Sequence, residues 1–135
     1  MATVLVTGGA GNIGSFLVDQ LVELEHFVVV VDNLYNAKME NIQHHLEEEK
    51  AALEVCDIAH YRVLERVFAK WKPEYVSHQA SMMIMDSRKF PFDAIDVNIK
   101  GTFNTIQACI EHDVQRVTFA SSASVFGNPR YVPVD

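Results

Sequence analysis

One short run near the N-terminus constrains this chain more than any other stretch. Gly8-Gly9-Ala10-Gly11-Asn12-Ile13-Gly14 places glycine at 8, 11 and 14, as in G-x-x-G-x-x-G, and at 9, 11 and 14, as in G-x-G-x-x-G. Before it, Ala2 to Val6 reads as a buried strand. After it, Gly11 to Glu25 reads as a helix, with Ile13, Phe16, Leu17, Leu21 and Leu24 on one stripe at 3.6-residue spacing. Glycines at such a junction permit a tight turn, close approach of a pyrophosphate, and close packing of helix on strand. Backbone N–H groups at the helix start then face the phosphates, helped by the helix dipole. A glycine-rich turn alone says little; a strand before it and a helix after it give it meaning.

The rest of the chain repeats that alternation. Phe27 to Val31 is a second strand, apolar throughout, as expected when helices cover both faces of a parallel sheet. Met39, Ile42 and Leu46 give a weaker helical stripe. Ala51 to Cys56 is a third strand, strongly apolar only at alternate residues, which suits an edge. Tyr61, Leu64, Val67, Phe68 and Trp71 mark a helix that Pro73 terminates. Tyr75 to His78 is a fourth strand. A helix starts near Pro91 and runs to about His112, and Arg116 to Ser121 is a fifth strand. The pattern predicts one α/β domain over 1–135, a doubly wound parallel sheet (Rossmann) in the order 3-2-1-4-5. Ligands bind such sheets at the switch point, here between the first and fourth strands.

Asp32 lies just past the second strand, 18 residues after Gly14. A carboxylate there can hydrogen-bond both hydroxyls of an adenosine ribose and repels a 2′-phosphate. No arginine stands between 33 and 37 to accept one, so the expected cofactor is NAD rather than NADP. The alternative is a strand-end aspartate capping a turn with Asn33. A formal net charge of −7 and the lack of a basic patch exclude nucleic acid and anionic membranes as partners. The apolar runs are too short to span a bilayer. Met1 leads straight into the first strand without a signal sequence, and Cys56 and Cys109 form no metal or disulfide pattern, so a cytoplasmic setting is expected.

These blocks, with Cys56-Asp57-Ile58, Lys72 to Ala80, Asn98 to Asn104 and Ser121 to Gly127, make the sequence resemble an extended short-chain dehydrogenase/reductase of the NAD-dependent epimerase/dehydratase family. The resemblance implies residue roles. Gly8, Gly11, Asn12, Ile13 and Gly14 would surround the pyrophosphate. Asp32 and Asn33 would hold the adenosine ribose, with Asn36 nearby, and Asp57 and Ile58 would meet the adenine. Gln79, Ala80 and Ser81 would line the nicotinamide ribose, supported by Asn98. Ser122 would be the catalytic hydroxyl that hydrogen-bonds a substrate oxygen during hydride transfer at a carbinol carbon, in family members often on a nucleotide-sugar.

The sequence departs from the family pattern in four ways. Asn12 replaces the usual aromatic residue, His78-Gln79-Ala80-Ser81 differs from the commoner His-Leu-Ala-Ala form, and Phe126 replaces a frequent tyrosine. The fourth is the Tyr-x-x-x-Lys pair: Tyr35, Tyr61 and Tyr75 are followed four residues on by Met39, Glu65 and Gln79, and Tyr131 is too near the end. The later strands and the substrate-binding region are likewise expected to be absent, leaving a truncated portion that is inactive alone. The rival reading is a non-catalytic dinucleotide-binding module, a sensor or assembly subunit.

Other residues suggest less. His44-His45 is read as solvated, since adjacent helical histidines point in different directions, and no metal site is expected. Glu47-Glu48-Glu49 is read as a solvated helix end. Met82, Met83 and Met85 would form either an adaptable wall of a substrate-facing loop or ordinary core. Ser121, Ser122 and Ser124 lack the G-x-S-x-G of a hydrolase elbow. The fifth strand is expected to be an open edge, and Ile95, Ile99, Phe103, Ile106 and Ile110 exceed what one sheet face needs; both point to a homo-oligomer.

Overall fold

A computed structural model describes residues 1–132 of the chain. Its sheet has five parallel strands, β1 (Thr3–Thr7), β2 (Phe27–Asp32), β3 (Ala51–Val55), β4 (Tyr75–His78) and β5 (Arg116–Phe119), in the order β3-β2-β1-β4-β5. Six α-helices connect them: α1 (Asn12–Glu23), α2 (Gln43–Glu47), α3 (Tyr61–Trp71), α4 (Ile84–Lys89), α5 (Pro91–Ala94) and α6 (Thr102–Glu111). The predicted topology holds, with β3 and β5 as its edges and the order reversing between β1 and β4.

Successive residues of a strand point to opposite faces, so β1 and β2 feed two cores. Val4, Val6, Val28 and Val30 pack with Val18 of α1 and with Ile42. Leu5, Val29 and Val31 pack with Leu64, Val67 and Phe68 of α3 and with Ala108 and Cys109 of α6. The central strands are therefore apolar on both sides, which explains their unbroken valine runs.

Three expectations need correction. On α1 the buried residues are Gly14, Ser15 and Val18, flanked by half-buried Leu17 and Leu21, whereas Ile13, Phe16 and Leu24 are exposed. The reason is steric: a Cβ on Gly14 would lie 2.1 Å from the Gly8 carbonyl oxygen, so the bare face of the helix, and not its bulkiest one, meets the turn. The segment from Pro91 is helical as far as Glu111, yet Ile95–Gly101 is π-helical and divides it. Gly101 at the end of that segment presses on Ile58, where a Cβ would come within 2.6 Å of the side chain. The methionine loop contains α4, and Met83 and Met85 are exposed, so ordinary core packing does not describe them. Among the described residues no helix is long and apolar enough to cross a membrane.

Candidate functional site

The C-terminal ends of β1 and β2 carry the glycine turn and Asp32 side by side. Gly8 takes a φ of +68°, a region that favours glycine, and donates its N–H to Val31 at 2.7 Å. There is no room beside it either, since a Cβ would stand 2.8 Å from the Ala80 backbone. Gly11 N–H closes the turn on Gly8 at 3.1 Å and Ser15 N–H bonds Gly11 at 3.0 Å. The amides of Asn12, Ile13 and Gly14 are the first of α1 and have no carbonyl one turn back. No side chain caps this end and no acidic residue occupies its first turn. A helix start left this way offers N–H groups and the positive end of a dipole to an anion.

Asp32 is 8% exposed and its carboxylate spans the turn. Ala10 N–H donates to Oδ2 at 3.1 Å and Leu34 N–H to Oδ1 at 2.9 Å. A carboxylate has about four acceptor sites, so these two bonds fix its direction and leave capacity for hydroxyl donors. Asp32 thus caps a local turn, the alternative raised from the sequence, while its second oxygen is held on the glycine loop. Asn41 steadies the same turn from outside, donating Nδ2 to the Ala10 carbonyl at 2.9 Å.

Beside Asp32, Asn33 donates Nδ2 to Asp57 Oδ2 at 3.3 Å, joining the ends of β2 and β3. Asp57 Oδ1 accepts from Ala59 N–H at 2.8 Å. Ile58 is buried against Gly101 and its carbonyl accepts from Asn104 at 2.8 Å, so only its amide is left for a ligand. Asn36 lies apart on the exposed side and pairs with Asp86 of α4 at 3.2 Å.

At the other end, a cavity of about 250 Å³ brings Gln79, Ala80, Ser81, Asn98 and Ser122 together, with His78 and Thr102 in its wall. Ser122 is exposed and accepts from Ser124 N–H at 3.2 Å. The side chain of Gln79 turns back to donate to Ser77 Oγ at 2.9 Å. Asn98, inside the π-helical segment, holds Met82 from both sides: Met82 N–H to Oδ1 at 2.7 Å and Nδ2 to the Met82 carbonyl at 3.1 Å.

Sequence reasoning missed Thr7, His78 and Thr102, which are hydrogen-bonded in series behind this cavity. The available signal was the pair Ser77-His78, polar residues in a strand whose neighbours are apolar. Burial pulls the His78 imidazole below its ordinary range.

The reading of His45 as solvated is also corrected, whereas His44 is exposed as expected. Both imidazoles converge on one Asp19 oxygen, His45 Nε2 at 2.7 Å and His44 Nε2 at 3.5 Å, and His45 is buried. The three residues bring possible ligand atoms within 4.8 Å of one another. However, His45 Nδ1 is buried without a partner. A cation on Nε2 would drive the ring proton onto that nitrogen, where no acceptor waits, so the geometry is that of a hydrogen bond between α2 and α1. Cys56 and Cys109 are buried free thiols, both pushed up to about 11 by burial, with Asp57 and Glu54 adding to the effect at Cys56.

Known proteins share this fold. The chain is similar to human UDP-glucose 4-epimerase, 37% identical over 98% of this chain and 40% of that protein. A putative UDP-glucose 4-epimerase of Methanocaldococcus jannaschii is also 37% identical, over 98% of this chain and 42% of the relative. Among solved structures, the UDP-glucose 4-epimerase of Stenotrophomonas maltophila with bound NAD and formylated UDP-arabinopyranose superposes with a TM-score of 0.88 at 31% identity, covering 99% of this chain and 41% of that one. The Bifidobacterium longum enzyme in complex with NAD+ and UDP gives 0.88 at 30% identity, covering 98% and 40%. The chain thus spans about 40% of the length of these relatives. Residues 4–135 match the family profile described as NAD dependent epimerase/dehydratase, and with the turn, the acid and the cavity beyond β4 and β5 in place, the chain belongs to that family.

Proposed function

We propose that this chain is the NAD-binding portion of a nucleotide-sugar epimerase/dehydratase-type oxidoreductase. The observation that carries the reading is the uncapped start of α1 facing Asp32 across the glycine turn. The pyrophosphate lies on the amides of Asn12, Ile13 and Gly14, against the turn of Gly8 and Gly11, whose own N–H groups are already bonded, and Asp32 takes the adenosine ribose hydroxyls with Asn33 beside it. Asn36 stands at the margin. Asp57 and the Ile58 amide meet the adenine. Gln79, Ala80 and Ser81 line the nicotinamide ribose, over Asn98.

NAD supplies a hydride acceptor for a carbinol carbon when bound. Ser122 hydrogen-bonds the substrate oxygen as the carbinol proton leaves. No tyrosine of this chain has a lysine four residues on, so by itself it completes no turnover of a nucleotide-sugar. Multi-turnover epimerisation by purified residues 1–135 would overturn the claim of inactivity. Calorimetric titration with NAD and NADP tests the cofactor: NAD binds and NADP is rejected, and the reverse preference would refute the role of Asp32.

We also propose a homo-oligomer. Phe92, Ile95, Ile99, Phe103, Ile106 and Ile110 are between 47% and 81% exposed along the α5–α6 run. Light scattering that shows only monomer at micromolar concentration would contradict this. Buried free thiols suit a reducing cytoplasm, which is the proposed location.

A further inference from the structure

His78 is buried at 3% exposure in the wall of the cavity, and neither ring nitrogen is free for a ligand. Its ring nitrogens have fixed and opposite roles. Thr102 Oγ1 lies 2.8 Å from the Asn98 carbonyl, which can only accept, so the Thr102 hydroxyl proton points there. Thr102 Oγ1 must then accept from His78, whose Nε2 is 2.9 Å away and carries the ring proton. The neutral imidazole keeps a lone pair on Nδ1, 2.7 Å from Thr7 Oγ1, and the Thr7 hydroxyl donates to it. With its proton committed, Thr7 Oγ1 presents its remaining lone pairs to the N–H groups of Gln79 and Ala80, each at 3.2 Å. Gln79 N–H is shared with the Thr7 carbonyl at 3.1 Å. Every donor in this series meets an acceptor.

The series matters because of what it holds. The segment from Gln79 to Met82 leaves β4, and its Gln79, Ala80 and Ser81 form one wall of the cavity. Thr7 clamps its start at Gln79 and Ala80, and Asn98 clamps its end at Met82. His78 is bonded to the first clamp directly and to the second through Thr102 and the Asn98 carbonyl. The opposite face of β4 has a separate network, in which Thr118 and Gln79 both bond Ser77 Oγ at 2.9 Å, so the two do not substitute for each other.

We infer that His78 is a positioning residue: held neutral with its proton on Nε2, it fixes Gln79–Met82 through Thr7 and Thr102 and so shapes the bed of the nicotinamide riboside. This rests on the NAD reading above and adds a residue that acts at one half of the cofactor only.

The test compares NAD with ADP, which keeps the adenosine and both phosphates and lacks the nicotinamide riboside, by calorimetry on the full chain. His78→Phe keeps the ring beside Phe119, which lies 6.1 Å away and nearly parallel, and removes both bonds. Thr102→Val removes one bond with little change of shape, and Thr102→Ser restores the hydroxyl. Loss of one or two such bonds weakens NAD by about tenfold in H78F and T102V, while ADP stays within about twofold and T102S binds both as the wild type does. Near-ultraviolet circular dichroism checks the fold, and T102V carries the test if H78F does not fold. Equal losses for NAD and ADP, unchanged NAD affinity in both variants, or failure of T102S to restore it would overturn the inference. A wild-type chain that binds neither ligand would overturn it together with the NAD reading, whereas tight NAD binding by T102V would overturn this inference alone.

Discussion

At the proposed adenosine end of the crevice, three side chains are tied to backbone two residues on: Asp32 to Leu34, Asn33 to Tyr35 and Asp57 to Ala59. At the nicotinamide end the ties join distant parts of the chain: Thr7 with His78, His78 with Thr102, Asn98 with Met82. The first end is self-supporting, built from short turns at strand tips on a core that is buried on both faces. The second depends on α6, the π-helical segment and β4 meeting correctly, and it borders β5, whose residues are all exposed. In the proposed reading, recognition of the adenosine half therefore rests mainly on local turns, joined across strands by Asp32–Ala10 and Asn33–Asp57, and geometry at the other half is wholly tertiary.

The sharpest way to break this contrast is Gly14→Ala. Its Cβ would overlap the Gly8 carbonyl oxygen, so α1 must move off the turn. We expect a loss of roughly 4 kcal/mol in stability, as for other severe backbone clashes, and no detectable NAD binding. Thermal unfolding and calorimetry measure both. A variant with wild-type affinity would mean that the close contact of helix and turn is dispensable.

Asp32→Asn keeps one of the two backbone bonds and turns its NH2 toward the other N–H, a local loss that leaves the sheet in place. Removing the charge costs NAD about tenfold to a hundredfold, in keeping with the worth of hydrogen bonds to charged groups, and narrows the preference over NADP. Unchanged discrimination between the two cofactors would shift the origin of specificity away from this carboxylate.

His78 makes a pH-dependent contribution. Its folded-state value lies below the unfolded value of about 6.5, so the unfolded chain binds more protons in the interval between them. Stability is accordingly retained above about 6.5 and declines as pH falls through that interval. His78→Gln should remove this share of the acid slope in denaturant midpoints measured between about pH 5 and 8. An identical slope in the variant would place the imidazole outside the buried series. The smallest effect belongs to Ser122→Ala: this hydroxyl is exposed and caps only a short 3-10 turn, so NAD affinity stays within about twofold. A large loss there would erase the difference between the two ends.

The same contrast explains what could be read in the sequence. The glycine spacing and Asp32 were legible because their chemistry is contained in a strand, a turn and a helix start. Asn33 was legible as a turn residue beside Asp32, Asp57 only through the family resemblance, and the sheet order followed from the alternation of elements. His78 and Thr102 were not, because a histidine in an apolar strand shows no partner until β4 and α6 are side by side. The π-helical segment was hidden for a similar reason: its contact is Gly101 against Ile58, two residues 43 positions apart. On α1 the apolar period suggested the wrong face, because a backbone contact at Gly14 outranks side-chain hydrophobicity in setting the helix rotation. His45 was taken as solvated because Asp19, its partner, lies on another helix.

The tethering of Asp32 by Ala10 and Leu34 has a kinetic consequence. Its carboxylate has surrendered its torsional freedom before any ligand arrives, so an incoming ribose finds its acceptor oriented and no rotamer search precedes capture. Encounter at this tip should be limited by diffusion and approach angle, and differences among adenine nucleotides should show in how long they stay.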